Sequence, residues 1–168
     1  YRAEQERDPE NLEMRLRVAA AQVLVGQCDE ALVLLRDVIR QSPNSAEALF
    51  YQGRCLLERG HLADAERALV RAVEVEAENA DYRAYLGWAC LETGNIERAS
   101  VELMRAVELD PTNPIALWQR GALLLLSASP QAAVRDLERA LELDPEMYAV
   151  YHDLARAYDR MRRPAEAI

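Results

Sequence analysis

The chain has 168 residues, room for one domain of ordinary size, and its 51% apolar content excludes a disordered chain. Twenty Lys+Arg against 29 Asp+Glu leave a formal charge of −9, which argues against a nucleic-acid backbone binder and the basic stripe such a binder needs. No apolar run reaches the roughly 18 residues of a membrane span.

Taken in chain order, helices and their stops alternate. Residues 1–7 read as the tail of one helix, ended by Pro9, with Asn11 as the N-cap of the next over 12–25. Val25-Gly26-Gln27 punctuates, and a second helix covers 28–41. Pro43 and the cap Ser45 introduce 46–59; Arg59-Gly60-His61 turns the chain into 62–75. Asn79 caps 80–93, Thr93-Gly94-Asn95 turns into 96–109, and Pro111 with Asn113 opens 114–126. Ser127-Ala128-Ser129-Pro130 is a variant turn whose proline opens 130–143. Pro145 precedes 148–161, and 164–168 starts a further helix. Glycine suits the mid-turn positions because it takes the left-handed stop without steric penalty.

These elements repeat every 34 residues. Pro9, Pro43, Pro111 and Pro145 lie on that grid, with Ala77 in the remaining slot. Ala31, Ala65, Ala99, Ala133 and Ala167 form a column of small residues. Gly53, Gly87 and Gly121, flanked by Ala19 and Ala155, form another. Leu35, Leu69, Leu103 and Leu137 form a column of large ones. The small columns let two helices approach, and leucine is the knob between them. Each repeat is therefore an antiparallel pair, helix A then helix B.

This pattern resembles the tetratricopeptide repeat family. The segment from Asn79-Ala80-Asp81-Tyr82 through Leu86-Gly87, Gly94-Asn95, Ala99, Leu103, Ala106 and Leu109-Asp110-Pro111 carries the likeness most fully. The resemblance covers one domain over 1–168: a repeat end at 1–11, full repeats at 12–45, 46–79, 80–113 and 114–147, and a truncated one at 148–168. It implies an all-α, right-handed solenoid of helix pairs. Two columns depart from the family. Position four is Arg15, Leu49, Arg83, Leu117 and Tyr151, and position seven is Gln52 and Arg120 where Leu is usual. Either the long arginine stems pack with their heads in water, or they form buried pairs between repeats with Glu47, Asp81 or Asp136.

Nothing in the sequence reads as catalytic, metal-binding or cofactor-binding. Cys28, Cys55 and Cys90 are odd in number and widely spaced, so neither a disulfide framework nor a zinc site is expected. His61 and His152 lack partners at ligand or triad spacing, and His152 and Asp153 are neighbours that a helix points apart. Glu102 and Glu108 read as solvated. So do the alternating charges of helix B: Glu66, Arg67, Arg71, Glu74, Arg98, Arg105, Arg135, Glu138, Arg139 and Glu142.

The resemblance implies that helix A lines a concave groove through positions two, five, nine, twelve and thirteen. Those columns hold Leu16 and Ala20 (with Glu13, Val23 and Leu24), then Phe50, Arg54 and Leu57 (with Glu47 and Glu58). They continue through Ala84, Trp88 and Leu91 (with Asp81 and Glu92), and Trp118, Ala122 and Leu125 (with Ile115 and Leu126). The fifth repeat adds His152 and Arg156, with Ala149, Asp159 and Arg160. The chain's single Phe and both Trp residues thus fall on groove columns, where aromatics make binding anchors. An apolar centre between Arg54 and Arg156 suits an extended or helical peptide with a carboxylate at either end. The family's C-terminal carboxylate clamp is not expected, because positions five and nine hold neither Lys nor Asn.

The expected role is a non-enzymatic scaffold or adaptor for a protein or peptide partner. Two other roles stay open: a substrate-recruiting or regulatory arm of a larger enzyme or envelope or secretion assembly, and a self-assembling scaffold. Tyr151, Leu154 and Tyr158, short of a covering helix, are expected to associate end to end. The start at Tyr1 reads as a piece of a longer protein, the all-Arg, Ala-rich composition points to a bacterial source, and a cytoplasmic setting is expected, with the periplasm as alternative.

Overall fold

The computed structural model describes residues 9–162, so the helix tail at 1–7 and the helix start at 164–168 lie outside the described residues. Nine α-helices and no strand are found among the described residues. They fall in two compact units, Tyr1–Ala77 and Glu78–Ile168. The first holds α1 (Pro9–Leu24), α2 (Cys28–Gln41), α3 (Ala46–Glu58) and α4 (Leu62–Val75). The second holds α5 (Ala80–Glu92), α6 (Ile96–Leu109), α7 (Pro114–Leu126), α8 (Pro130–Leu143) and α9 (Tyr148–Arg162).

The expected helices are present, most of them within one residue at each end. α1 is the exception: it starts at Pro9, three residues early, so Asn11 lies inside the helix and is not its cap. A residue without an N–H loses nothing in a first helical turn. The Asn11 amide oxygen instead accepts from Arg15 Nε at 3.0 Å. The other expected caps are made. Ser45, Asn79 and Asn113 accept from the backbone N–H three residues on, at 3.3, 3.2 and 2.9 Å.

Within a repeat, A and B lie against each other as α1 with α2, α3 with α4, α5 with α6 and α7 with α8. Within each unit the pairs also stack, α1 and α2 on α3, α5 and α6 on α7, and α9 on α7 and α8. The paired helices approach closely at the glycine–leucine contact. A Cβ on Gly53, Gly87 or Gly121 would come within 2.5, 2.5 and 2.7 Å of Cγ of Leu69, Leu103 and Leu137. All three leucines are fully buried. In the first unit Ala19, Ala31 and Leu35 continue these columns into a core with Val23, Val38 and Cys55. In the second, Leu117, Leu125, Ala133, Leu137, Ala140 and Val150 form the core of the last repeats.

The mid-repeat turns share one geometry. Gly26, Gly60 and Gly94 sit at φ +76°, +76° and +80°. The following N–H closes onto a carbonyl five residues back, Gln27 to Gln22, His61 to Leu56 and Asn95 to Cys90, each at 2.8 Å. The fourth repeat keeps the closure, Ser129 N–H to Leu124 O at 2.9 Å, but carries Ala128 at φ +54°. A Cβ is penalised in the left-handed region, so Ala128→Gly is expected to raise folding stability by about 1 kcal/mol. Thermal unfolding checks this, and an unchanged or lowered midpoint would mean that the turn carries no such strain.

The arginines at positions four and seven are paired with acids. Arg120 donates from Nε and Nη2 to both oxygens of Asp136, at 2.7 and 2.8 Å. Arg83 Nη1 lies 2.6 Å from Glu102, and Arg15 pairs with Asp37. These bridges join helix A to helix B of the same repeat, so the arginine heads are paired rather than simply left in water, and the alternative of pairs between repeats is corrected to pairs within one. Positions four and seven face their own helix B; of the three acids considered, Asp136 pairs within its repeat and Glu47 is exposed. Asp81 does tie consecutive repeats, but to Asn113 Nδ2, at 2.6 Å. Glu102 is therefore a buried ion-pair partner and not a solvated residue.

The hydrogen bond to Asp136 holds Arg120 above its ordinary pKa against the opposing cost of burial. Asp136→Ala is expected to cost about 2 kcal/mol, because it strands a partly buried guanidinium. Arg120→Leu/Asp136→Leu is expected to recover most of that, since an apolar pair needs no partner. Urea unfolding of both variants checks it, and a double variant no better than the single would contradict it.

Candidate functional site

Each unit carries its own share of the groove columns. In the second unit α5, α7 and α9 bring together Trp88, Trp118 and the start of the fifth repeat. The Trp88 and Trp118 rings lie 5.3 Å apart at 58°, a tilted aromatic pair contributed by consecutive repeats. Tyr85 extends it, 5.7 Å from Trp88 at 40°. Both indoles are half-buried. Trp88 Nε1 donates to Glu92 at 3.2 Å and Trp118 Nε1 donates to Asp153 at 2.9 Å. The indole N–H groups are thus committed to the protein itself. What the rings offer a partner is their faces, for apolar, aromatic or cationic side chains.

Asp153 organises the edge of this cluster. Its side chain is only 14% exposed, receives the Trp118 N–H, and takes Arg156 Nη1 at 3.1 Å. His152 Nδ1 lies 3.7 Å from it, so the two neighbours approach each other rather than diverging. Arg160 reaches back to the Leu125 carbonyl at the end of α7. Sequence reading misses Asp153 and Tyr85 because they stand off the groove columns. The signal that finds Asp153 is the contact across one repeat between positions five and six.

Burial sorts the expected groove residues. Leu91, Trp118, Ala122 and Trp88 are partly exposed, and His152 and Arg156 are exposed. Ala84 and Leu125 are fully buried, so they back the wall and cannot touch an occupant. Ala84 packs with Ala106 and Ala116, small residues that let α5, α6 and α7 close up.

In the first unit Leu16, Ala20 and Arg54 are partly exposed, whereas Val23, Phe50 and Leu57 are buried. The Phe50 ring lies 5.2 Å from that of Tyr51, tilted at 53°. Glu58 accepts from Arg54 Nε and from Cys28 Sγ, both at 3.2 Å. Burial is the main force raising the Cys28 and Cys55 thiols above their usual pKa, so both stay protonated at neutral pH. They are packing groups in this environment and not activated nucleophiles. Among the described residues no cluster of three or more His, Cys, Asp or Glu is placed to hold a metal ion, and no helix is long and apolar enough to cross a membrane.

Tyr151 and Tyr158 of α9 are exposed at 48% and 41%, and Leu154 is partly buried against the core. Tyr158 donates to Glu138 at 2.6 Å.

One model described as Tetratricopeptide repeat matches residues 23–84 and 124–168, and a second of the same description matches 56–114. No curated protein matches the chain in sequence. Among solved structures, the chain is similar to TTC0263, a thermophilic TPR protein of Thermus thermophilus, at TM-score 0.76 and 23% identity, covering 90% of this chain and 84% of that one. It is also similar to the MamA protein, at TM-score 0.69 and 21% identity, over 90% and 83%. A third likeness is YrrB, described as a TPR protein with an unusual peptide-binding site, at TM-score 0.66 and 20% identity over 92% and 79%. Identities this low speak for the fold.

Proposed function

We propose a binding role for this chain, which belongs to the tetratricopeptide repeat family. Its fold is that of a protein–protein interaction scaffold, and the finer reading is that it holds an extended or helical partner segment against the helix A surface. The observation that carries this is the Trp88–Trp118 pair: two half-buried rings in contact, from consecutive repeats, with both N–H groups already satisfied. A core tryptophan needs no exposed face. A pair held rigidly by Glu92 and Asp153 loses little side-chain entropy on binding, which is what makes an aromatic anchor effective. Arg156 and His152 border it as polar rim. YrrB, with its named peptide-binding site, supports such a role by fold alone.

Selection of linear peptides from a display library tests the reading. Because the chain's two tryptophans are both in the site, a bound peptide is expected to shift their fluorescence. Peptides that bind without any fluorescence change would place binding elsewhere.

A further inference from the structure

The first unit holds a cleft of about 470 Å³ between α3 and α4, lined by Gln52, Leu56, Asp64, Arg67, Ala68 and Arg71. Its position in the repeat explains why it is open. In the fourth repeat positions seven and twenty-three are Arg120 and Asp136, joined by two hydrogen bonds. In the third, Glu102 fills position twenty-three and meets Arg83; in the first, Asp37 at position twenty-six meets Arg15. The second repeat alone among these four has no acid in either slot. Position twenty-three is Ala68, position twenty-six is Arg71, and helix A offers Gln52 where the fourth repeat has Arg120. The charge pattern is inverted, and the carboxylate that bridges the two helices elsewhere is missing.

We propose that this cleft takes a carboxylate side chain, Glu or Asp, from an acidic segment of a protein partner. The chain's own repeats show the chemistry that fits: a carboxylate over position twenty-three, held by planar donors from helix A. Two guanidinium groups against the single carboxylate of Asp64 leave the lining locally basic in a chain of net charge −9. Arg67 pairs with Asp64, and Arg71 spends one N–H on the Pro43 carbonyl at 2.7 Å. A guanidinium has five donors, so both keep several for a ligand. Gln52 adds an amide donor, and Leu56 with Ala68 forms an apolar floor for the methylenes of the incoming side chain. The site uses no groove column and does not rest on the Trp88–Trp118 reading.

Two-dimensional NMR of the whole chain tests it, with acetylated, amidated tetraglutamate as the probe and blocked tetraglutamine and inorganic phosphate as comparisons. The expected result is a saturable shift of the Gln52 side-chain amide and the Arg67 and Arg71 Nε–H signals with tetraglutamate, and little with tetraglutamine. Gln52→Arg/Ala68→Asp rebuilds the bridge of the fourth repeat inside the cleft. It is expected to stay folded and to bind the probe at least roughly tenfold more weakly, as an occupied site should. Arg71→Gln, which leaves Gln52 and Ala68 in place, is expected to weaken binding in the same direction. Shifts confined to other residues, equal shifts with tetraglutamine, phosphate binding as tightly as the peptide, or full binding by the folded double variant would each overturn the proposal.

Discussion

Gly87→Val is expected to cost about 3 kcal/mol of folding stability, the upper range for overpacking a tight core. Even a single Cβ there would sit 2.5 Å from Leu103 Cγ and 2.6 Å from Cδ2. Leu103 has no exposed surface, so either its side chain is forced into the surrounding core or α5 and α6 part. A β-branched residue adds further atoms and a restricted rotamer, which leaves no relaxed way to fit. Gly87→Ala is expected to be milder. The first repeat already carries Ala19 opposite Leu35 with both fully buried, and alanine recovers about 1 kcal/mol of helix propensity over glycine. Leu103→Ala combined with Gly87→Val should be better than the sum of the two, because the valine fills space the leucine vacates. Denaturant unfolding monitored by circular dichroism checks both. A Gly87→Val protein within roughly 0.5 kcal/mol of wild type, the scatter expected of non-interacting sites, would contradict the packing described.

The second large effect concerns binding. Trp118→Ala is expected to weaken a peptide selected on the wild-type chain by about 2 kcal/mol, roughly thirtyfold in Kd, as for an interface anchor. It removes the ring that Trp88 leans on and leaves Asp153 without its indole donor. Trp118→Phe keeps an aromatic face but no N–H, so its loss should be smaller. That ordering separates contact through the ring from support through Asp153. Equal, complete losses for Ala and Phe would mean that the hydrogen bond to Asp153, and not the ring face, controls binding. Calorimetric titration of each folded variant gives the comparison.

The helix pairs were legible because the 34-residue columns each answer to one physical demand: a cap, a stop, a gap or a knob. Gly87 and Leu103 match in the sequence itself, since a missing side chain in one column and a large one in the other are meaningful only together. Local rules erred where two of them competed. Asn11 looks like its column-mates Ser45, Asn79 and Asn113, yet the helix reaches past it to Pro9. The arginines were harder. Periodicity places Arg83 and Arg120 at packed positions, but which acid meets them depends on the facing helix, and Glu102 looks no different in sequence from the exposed Glu108.

The candidate site was legible in part. Column positions bring Trp88 and Trp118 to the same surface, and their rings touch. Column positions do not reveal depth: Ala84 and Leu125 share the groove columns and have no exposed surface. Asp153 was missed for a related reason. It lies one residue off the column, and contacts invisible to column counting tie it to the site, among them its hydrogen bond from Trp118, 35 positions away in the chain.

The functional reading stands on the Trp88–Trp118 surface holding the partner. Affinity capture from a lysate of the source organism, read by mass spectrometry, puts this to the test with wild type compared against Trp88→Ala/Trp118→Ala of verified helicity. The expected result is a protein retained by wild type and lost by the folded double variant. A protein retained equally by both would contradict the reading and move the binding surface away from the two tryptophans.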